Sequence, residues 1–294
     1  MPPTPTHPPT PTLEPTATLT EEGRAALRAL PLDQFPRPPQ DNGRGMHWVP
    51  NSASPPWVVD RYVAEASAMH VRWVVFLNEG GQIGANDYLV TQLVAHGIEP
   101  VMRVLSHRGA QLGHNLTPMV QHYRALGVRY YQLYNEPNLP SENQDRAPNV
   151  DRYLDLWLPA AGQVIAGGGL PGIGALAPNA HVDDVEFFRA TLRGIEARGH
   201  LDVLDTAWVA VHNYLLGDPS LPVELDPGFR RPELYDAVAR EELGRSLPMI
   251  GTEGGFAPDG LPHDPTLWTT TLPDLALLPV LPRVLGRWLV YKER

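Results

Sequence analysis

Ala125-Leu126-Gly127-Val128-Arg129-Tyr130-Tyr131-Gln132-Leu133-Tyr134-Asn135-Glu136-Pro137-Asn138 decides the fold. A helical pattern stops at Gly127, where a glycine can take the left-handed conformation that caps a helix. A β-branched and aromatic run follows, and Val128 to Tyr134 reads as a buried strand. The strand then ends abruptly in an amide, a carboxylate and a proline, an order that does nothing for core packing. Proline disfavours the right-handed helical region for the residue before it, so Glu136 is expected to be extended at the strand end.

The same unit repeats along the chain. Further strands are expected at Gly45-Val49, Val71-Leu77, Ile98-Leu105, Gly172-Ala177, Thr206-His212 and Met249-Thr252. Between them lie helical patterns at Trp57-His70, Asn86-His96, Thr117-Leu126, Asp151-Ala166, Asp183-Arg198 and Arg231-Leu243. Alternation of short apolar runs with longer amphipathic ones is the mark of a parallel sheet built from βα units. The fold class expected is α/β, a (β/α)8 TIM-type barrel, which typically takes about 250 residues. The eighth βα unit is not clear. Leu281-Tyr291 reads as an amphipathic helix, with Val284, Leu285, Trp288 and Leu289 on one face; either Trp288-Tyr291 is a short closing strand or the chain stops one unit early, and the second is the expectation.

The domain division expected is residues 1–40 as a Pro/Thr-rich disordered linker and lead-in, and residues 41–294 as the barrel. Met1-Thr20 is too poor in apolar residues to order itself, and Leu19-Leu30 has the pattern of a short helix with Thr20 as its N-cap. Linkers of this composition tether secreted domains. That gives an extracellular or cell-surface location as one reading and a plain disordered tail as the other; the N-terminus shows no signal-peptide pattern.

Composition narrows the function. The chain has 294 residues, 43% of them hydrophobic, and a formal net charge of -10. Nucleic acid and anionic membrane surfaces both require a basic face, so neither is expected as partner. No apolar run reaches the ~18 residues of a membrane-spanning helix. Without cysteine there is no thiolate metal site and no cysteine nucleophile. The eleven histidines are scattered, with no His-Glu-x-x-His set, so no metal is expected. Gly167-Gly168-Gly169 precedes a strand, whereas phosphate-cradling loops follow one, so no nucleotide cofactor is expected either. No Gly-x-Ser-x-Gly elbow is present.

A second glutamate stands at an equivalent place, Thr252-Glu253-Gly254-Gly255, at the end of the seventh expected strand. Catalytic groups in such barrels stand at the C-terminal strand ends, around the cavity mouth. Cleavage of a glycosidic bond needs one protonated carboxyl to assist the leaving oxygen and one ionised carboxylate to attack or to activate water. Glu136 and Glu253 can supply them.

With these motifs the chain resembles the clan of retaining (β/α)8 glycoside hydrolases that includes cellulases, β-mannanases and β-xylosidases. Asn135-Glu136-Pro137, Thr252-Glu253-Gly254 and the His-x-Tyr pattern of His212-Asn213-Tyr214 carry the resemblance, which covers Gly45 to Glu253. It implies that Glu136 is the acid/base and Glu253 the nucleophile. It further implies that Asn135 binds the sugar 2-hydroxyl, that Tyr214 donates to Glu253, and that His212 contacts sugar or the acid/base. No cofactor is implied, and the partner is a carbohydrate substrate.

Other strand ends offer groups that suit a sugar: His47 and Trp48, Asn78 and Glu79, Arg103, Ser106 and His107, and Asn179. For Trp48 and Trp208, core packing stands level with substrate stacking; for Arg103, an ion pair inside the barrel competes with a substrate contact. Two functions are carried forward. One is a retaining glycosidase acting on an oligo- or polysaccharide; the other is a non-catalytic carbohydrate-binding or scaffold protein on a degenerate barrel, motivated by the unclear eighth unit and the open edge it would leave.

Overall fold

The computed structural model describes residues 35–48, 51–113, 116–215, 227–256 and 284–286. Their strands form one parallel sheet in sequence order: β1 (Gly45–His47), β2 (Trp73–Glu79), β3 (Glu99–Leu105), β4 (Tyr130–Leu133), β5 (Leu170–Ile173), β6 (Trp208–Leu215), β7 (Met249–Phe256) and β8 (Val284–Gly286). Among the described residues six α-helices link β1 through β7: α1 (Pro56–Ala68), α2 (Asp87–Ala95), α3 (Leu116–Leu126), α4 (Val150–Ala166), α5 (Asp184–Ala197) and α6 (Arg231–Leu243). This is a (β/α)8 TIM-type barrel. Consecutive strands are neighbours throughout the sheet.

The eighth strand corrects the sequence reading. Val284–Gly286 pairs parallel with β7, Met249 opposite Val284 and Ile250 opposite Gly286. Its few residues carry no period-2 signal long enough to outweigh the helical spacing of the apolar residues around them. The expected helix at residues 19–30, the Pro/Thr-rich segment and most of Leu281-Tyr291 lie outside the described residues.

Side-chain alternation divides the strands into two packing layers. Val74, Phe76, Met102, Val104, Tyr131, Leu133 and Val209 face outward and pack with the helices. Trp73, Val75, Val101, Tyr130, Trp208, Ala210 and Ile250 face inward and fill the barrel, as such interiors are filled by layers of side chains. Tyr130 is central to this interior, with ring centroids 5.8 Å from Trp73 and 5.7 Å from Trp208. Trp208 has room because position 172 is glycine; a Cβ there would lie 2.7 Å from the indole.

The barrel floor is closed from below by residues N-terminal to the first strand. Phe35 is buried among the inward-facing side chains, the Tyr130 hydroxyl donates to the Pro36 carbonyl at 2.7 Å, and the Trp73 indole donates to Asp41 at 2.8 Å. Packing against the barrel therefore includes residues that the sequence places in the lead-in. Truncating a buried phenylalanine typically costs about 3–5 kcal/mol. Phe35→Ala is expected to lower the unfolding free energy of the whole barrel by that amount, read as a fall in the urea midpoint at unchanged m; an unchanged midpoint would show that the plug is dispensable.

Candidate active site

Above the aromatic floor, alternation brings polar residues into the barrel. On β3, Arg103 is the next inward position after Val101; on β6, His212 and Tyr214 follow Ala210. On β1, His47 faces in and Trp48 therefore faces out. Trp48 belongs to the outer core cluster, packs edge-on against Tyr62 at 6.2 Å and donates its indole N–H to Ser54. The structure thus places Trp48 in the helix-facing layer, away from the converging polar groups.

Glu253 reaches the interior through a register shift. The β6–β7 ladder runs Val211 opposite Gly251 and then His212 opposite Glu253, so Thr252 is the extra residue of a bulge. Because side chains alternate with period two, one inserted residue turns Glu253 to the face that His212 occupies. Bulges beside active sites re-aim side chains in this way.

Glu136 is delivered by a different distortion. Tyr134 has φ +64° and Glu136 φ +41°, both in the left-handed region that non-glycine residues rarely adopt. The expectation that Glu136 is extended is therefore corrected: the chain leaves β4 through a double kink. Tyr134 swings into the outer layer against Tyr153. Asn135 forms a parallel bridge to Ala175, and the Glu136 N–H donates to the Ala175 carbonyl at 2.8 Å. Asn138 fixes the end of the kink. Fully buried, it donates to the carbonyls of Ala177 (2.9 Å) and Val182 (3.1 Å) and accepts from Ala177 N–H (2.9 Å).

These distortions bring the two carboxylates together. One oxygen of Glu136, one of Glu253 and a ring nitrogen of His212 all lie within 4.8 Å of one another. His212 is buried between them, with Nδ1 2.8 Å from Glu136 Oε1 and Nε2 3.9 Å from Glu253 Oε1. Arg103 donates through Nη1 to Glu253 Oε1 at 2.5 Å, and the Tyr214 hydroxyl donates to Glu253 Oε2. Burial opposes charge on Glu253, but the proximity of His212, the guanidinium of Arg103, the Tyr214 hydrogen bond and the nearby His47 outweigh it, and the carboxyl is held well below the usual range. Burial and the Glu253 charge raise the Tyr214 phenol, which stays a donor.

His47 completes this layer. Its Nδ1 is 2.6 Å from the Trp48 carbonyl, which can only accept, so Nδ1 carries the proton; Nε2 is buried without a partner among the described residues. Asn135 lies beside the pair and donates to Glu142. Asn179 stands apart, exposed in a turn with φ +56°; it is Asn138 that ties the β4 end to the β5 end. Glu79 and His107 pair with each other at 2.8 Å, both exposed, and buried Asn78 binds the carbonyls of Gly80 and Gln82. Sequence reading passed over Asn138, Glu142 and Gln132, whose Oε1 accepts from Arg103 at 3.4 Å. For Gln132 the inward position on β4 was the available signal.

Glu136, His212 and Glu253 are also the group among the described residues whose donor atoms converge enough to hold a metal ion. Arg103 already supplies a positive charge on Glu253 Oε1, and His212 Nδ1 is engaged by Glu136. A cation would have to displace one and turn the other.

No protein-family model matches the chain, and no curated protein sequence does. Solved structures match in fold. They include a GH39 β-xylosidase from Caulobacter crescentus (14% identity, TM-score 0.51, covering 87% of this chain and 64% of that one). A family 51 α-L-arabinofuranosidase from Bifidobacterium longum matches at 12% identity and TM-score 0.51, over 86% and 66% of the two chains. A GH128 (subgroup II) endo-β-1,3-glucanase from Pseudomonas viridiflava matches at 16% identity and TM-score 0.54, over 86% and 88%. The chain spans about two thirds of the length of the first two. The likeness is one of fold: the barrel is of the kind found in glycoside hydrolases.

The electrostatics of the interior are open to direct test through His47. Burial first, then the Arg103 charge, lower its pKa from 6.5 to about 4. Between these values the unfolded chain binds a proton that the folded chain does not, so this contribution to stability is intact above pH 6.5 and declines as pH falls towards 4. An NMR titration of the His47 ring is expected to show a midpoint near 4; a midpoint near 6.5 would mean that the ring is solvated.

Proposed function

We propose that the chain is a retaining glycoside hydrolase that cleaves a β-glycosidic bond in an oligo- or polysaccharide without a cofactor. The observation that carries this reading is the pair of carboxylates at the barrel mouth, with oxygens within 4.8 Å and unlike surroundings. Retaining enzymes hold their carboxyl groups roughly 5–5.5 Å apart, whereas inverting ones need roughly 6.5–9.5 Å to admit a water between sugar and base. The spacing supports direct attack. The β-configuration rests on the sequence resemblance.

Glu253, kept ionised by Arg103 and Tyr214, attacks the anomeric carbon. The bond from that carbon to the leaving oxygen breaks as an ester bond to Glu253 forms, and Glu136 transfers its proton to the leaving oxygen. A water then attacks the same carbon from the vacated side. Its proton passes to Glu136, and the ester bond electrons return to Glu253. His212, bonded to Glu136, orients the acid/base. The alternative of a carbohydrate-binding barrel without catalysis drew on an unclear eighth strand; β8 supplies three residues of that strand, paired with β7.

The test uses the full chain on a panel of aryl β-glycosides and β-linked polysaccharides, with the first-formed anomer read by proton NMR. Net retention is expected. Glu253→Ala is expected to abolish turnover, and Glu136→Ala to lower kcat/KM on the order of 10²–10⁴-fold with poor leaving groups but little with dinitrophenolate, for which kcat falls instead because water loses its base in the second step. Chelation with EDTA is expected to leave the rate unchanged. Inverted product, or wild-type rates in either variant, would refute the assignment.

A further inference from the structure

A third carboxylate stands beside the pair. Glu142 ends a short turn (Pro140–Glu142) in the loop between β4 and α4, and its Oε1 accepts from Asn135 Nδ2 at 3.3 Å. Asn135 is thereby oriented. With its N–H turned to Glu142, its carbonyl oxygen is left as the free end, and that Oδ1 is buried without a partner among the described residues. Glu142 and Asn135 line one small cavity with Gly109, Pro137 and Arg152.

The loop is built to hold Glu142 there. Asn143 donates to the carbonyls of Pro137 (2.9 Å) and Leu139 (2.7 Å), tying the turn back to the strand end. Gly109 (φ +63°) lies against the turn so closely that a Cβ would be 2.8 Å from the Glu142 carbonyl. The charged groups around the Glu142 carboxyl are Glu136 from the β4 end, Glu253 from β7, Arg103 from β3, Arg152 from α4, and His107 and Arg108 from the turn carrying Gly109. Arg152 pairs with Asp145 and His107 with Glu79. Among the described residues no cation pairs with Glu142, and the Asn135 amide is the partner the structure gives it.

We propose that Glu142 is a positioning residue: it fixes the Asn135 amide so that Oδ1 faces the reacting sugar as an acceptor for a hydroxyl beside the anomeric carbon. The proposal rests on the glycosidase reading of the site. A carboxylate suits this task because it only accepts, so the amide cannot turn over without placing two acceptors together. Burial, and then Glu136 and Glu253, raise the Glu142 carboxyl, while the Asn135 hydrogen bond opposes them. Protonation leaves the Asn135 amide only a neutral acceptor, so the anchor weakens on the acid side at a pH where Glu253 is still ionised.

The experiment compares Glu142→Leu and Glu142→Gln with the wild-type chain on aryl β-glycosides and their 2-deoxy analogues. For substrates bearing the 2-hydroxyl, Glu142→Leu is expected to lower kcat on the order of 10- to 100-fold, the scale of a misplaced contact. For the 2-deoxy analogues the loss is expected to vanish. Glu142→Gln, whose amide oxygen accepts without a charge as the protonated carboxyl does, is expected to fall between Glu142→Leu and the wild type and to lose the acid limb of the pH–rate profile. Equal losses on both substrate sets, or an unchanged acid limb in Glu142→Gln, overturn the role. The contact itself is read without turnover: the Asn135 side-chain amide, assigned through Asn135→Ala, should titrate with pH in the wild type and not in Glu142→Gln. A pH-insensitive amide in the wild type overturns the proposal, whether or not the chain cleaves sugar. If the amide titrates as expected but the wild type cleaves no glycoside, the glycosidase reading falls and the anchor stands.

Discussion

Two carboxylates that face each other inside a protein repel, and the barrel mouth is organised around that repulsion. With one oxygen of each within 4.8 Å of the other and an effective dielectric constant near 20, two full charges would interact unfavourably by about 3 kcal/mol or more. The structure resolves the conflict by making the surroundings unequal. Glu253 has a guanidinium on one oxygen and a phenol on the other. Glu136 has the ring of His212. Glu253 is thus held in the ionised state, while Glu136 has no cationic side chain other than His212 against it among the described residues. The proposed division into acid and nucleophile rests on this asymmetry more than on the presence of two glutamates.

The backbone bears the cost of that placement. Strict alternation would turn Glu253 outward, and the bulge at Thr252 turns it in. On β4, left-handed conformations at Tyr134 and Glu136 store strain of order 1–3 kcal/mol each. The buried amide of Asn138 and the Asn135–Ala175 bridge hold this segment in place. The aromatic floor of Trp73, Tyr130 and Trp208, plugged by Phe35, gives the strands a rigid base. Distortion is confined to the C-terminal strand ends, where loops already interrupt the ladder.

Much of this was legible in the sequence because it rests on periodicity. The seven strands and six helices read from apolar spacing all appear, within a few residues at their ends. Glu136, Glu253, His212, Tyr214 and Arg103 were recognisable as polar residues at or near strand ends, and the structure draws them into one cluster. What escaped depends on events that spacing does not encode. Trp48 and His47 are adjacent, and only the register of β1 decides which faces in. The left-handed Glu136 is a property of the closed loop rather than of a residue preceding proline. Asn138 and Glu142 act through contacts with Ala177 and Asn135, made when the β4 loop folds back. The short β8 strand is paired by β7 rather than announced by its own residues.

The central claim is that Glu253 becomes covalently bonded to sugar. The most direct measurement is intact and peptide mass spectrometry after incubating the chain with a panel of 2-deoxy-2-fluoro glycosides bearing good leaving groups, which slow breakdown of a glycosyl ester more than its formation. The account predicts a mass increase of one fluorosugar on a peptide containing Glu253, absent in Glu253→Ala. Attachment at Glu136, or turnover of the parent glycosides with no adduct from any member of the panel, would contradict it.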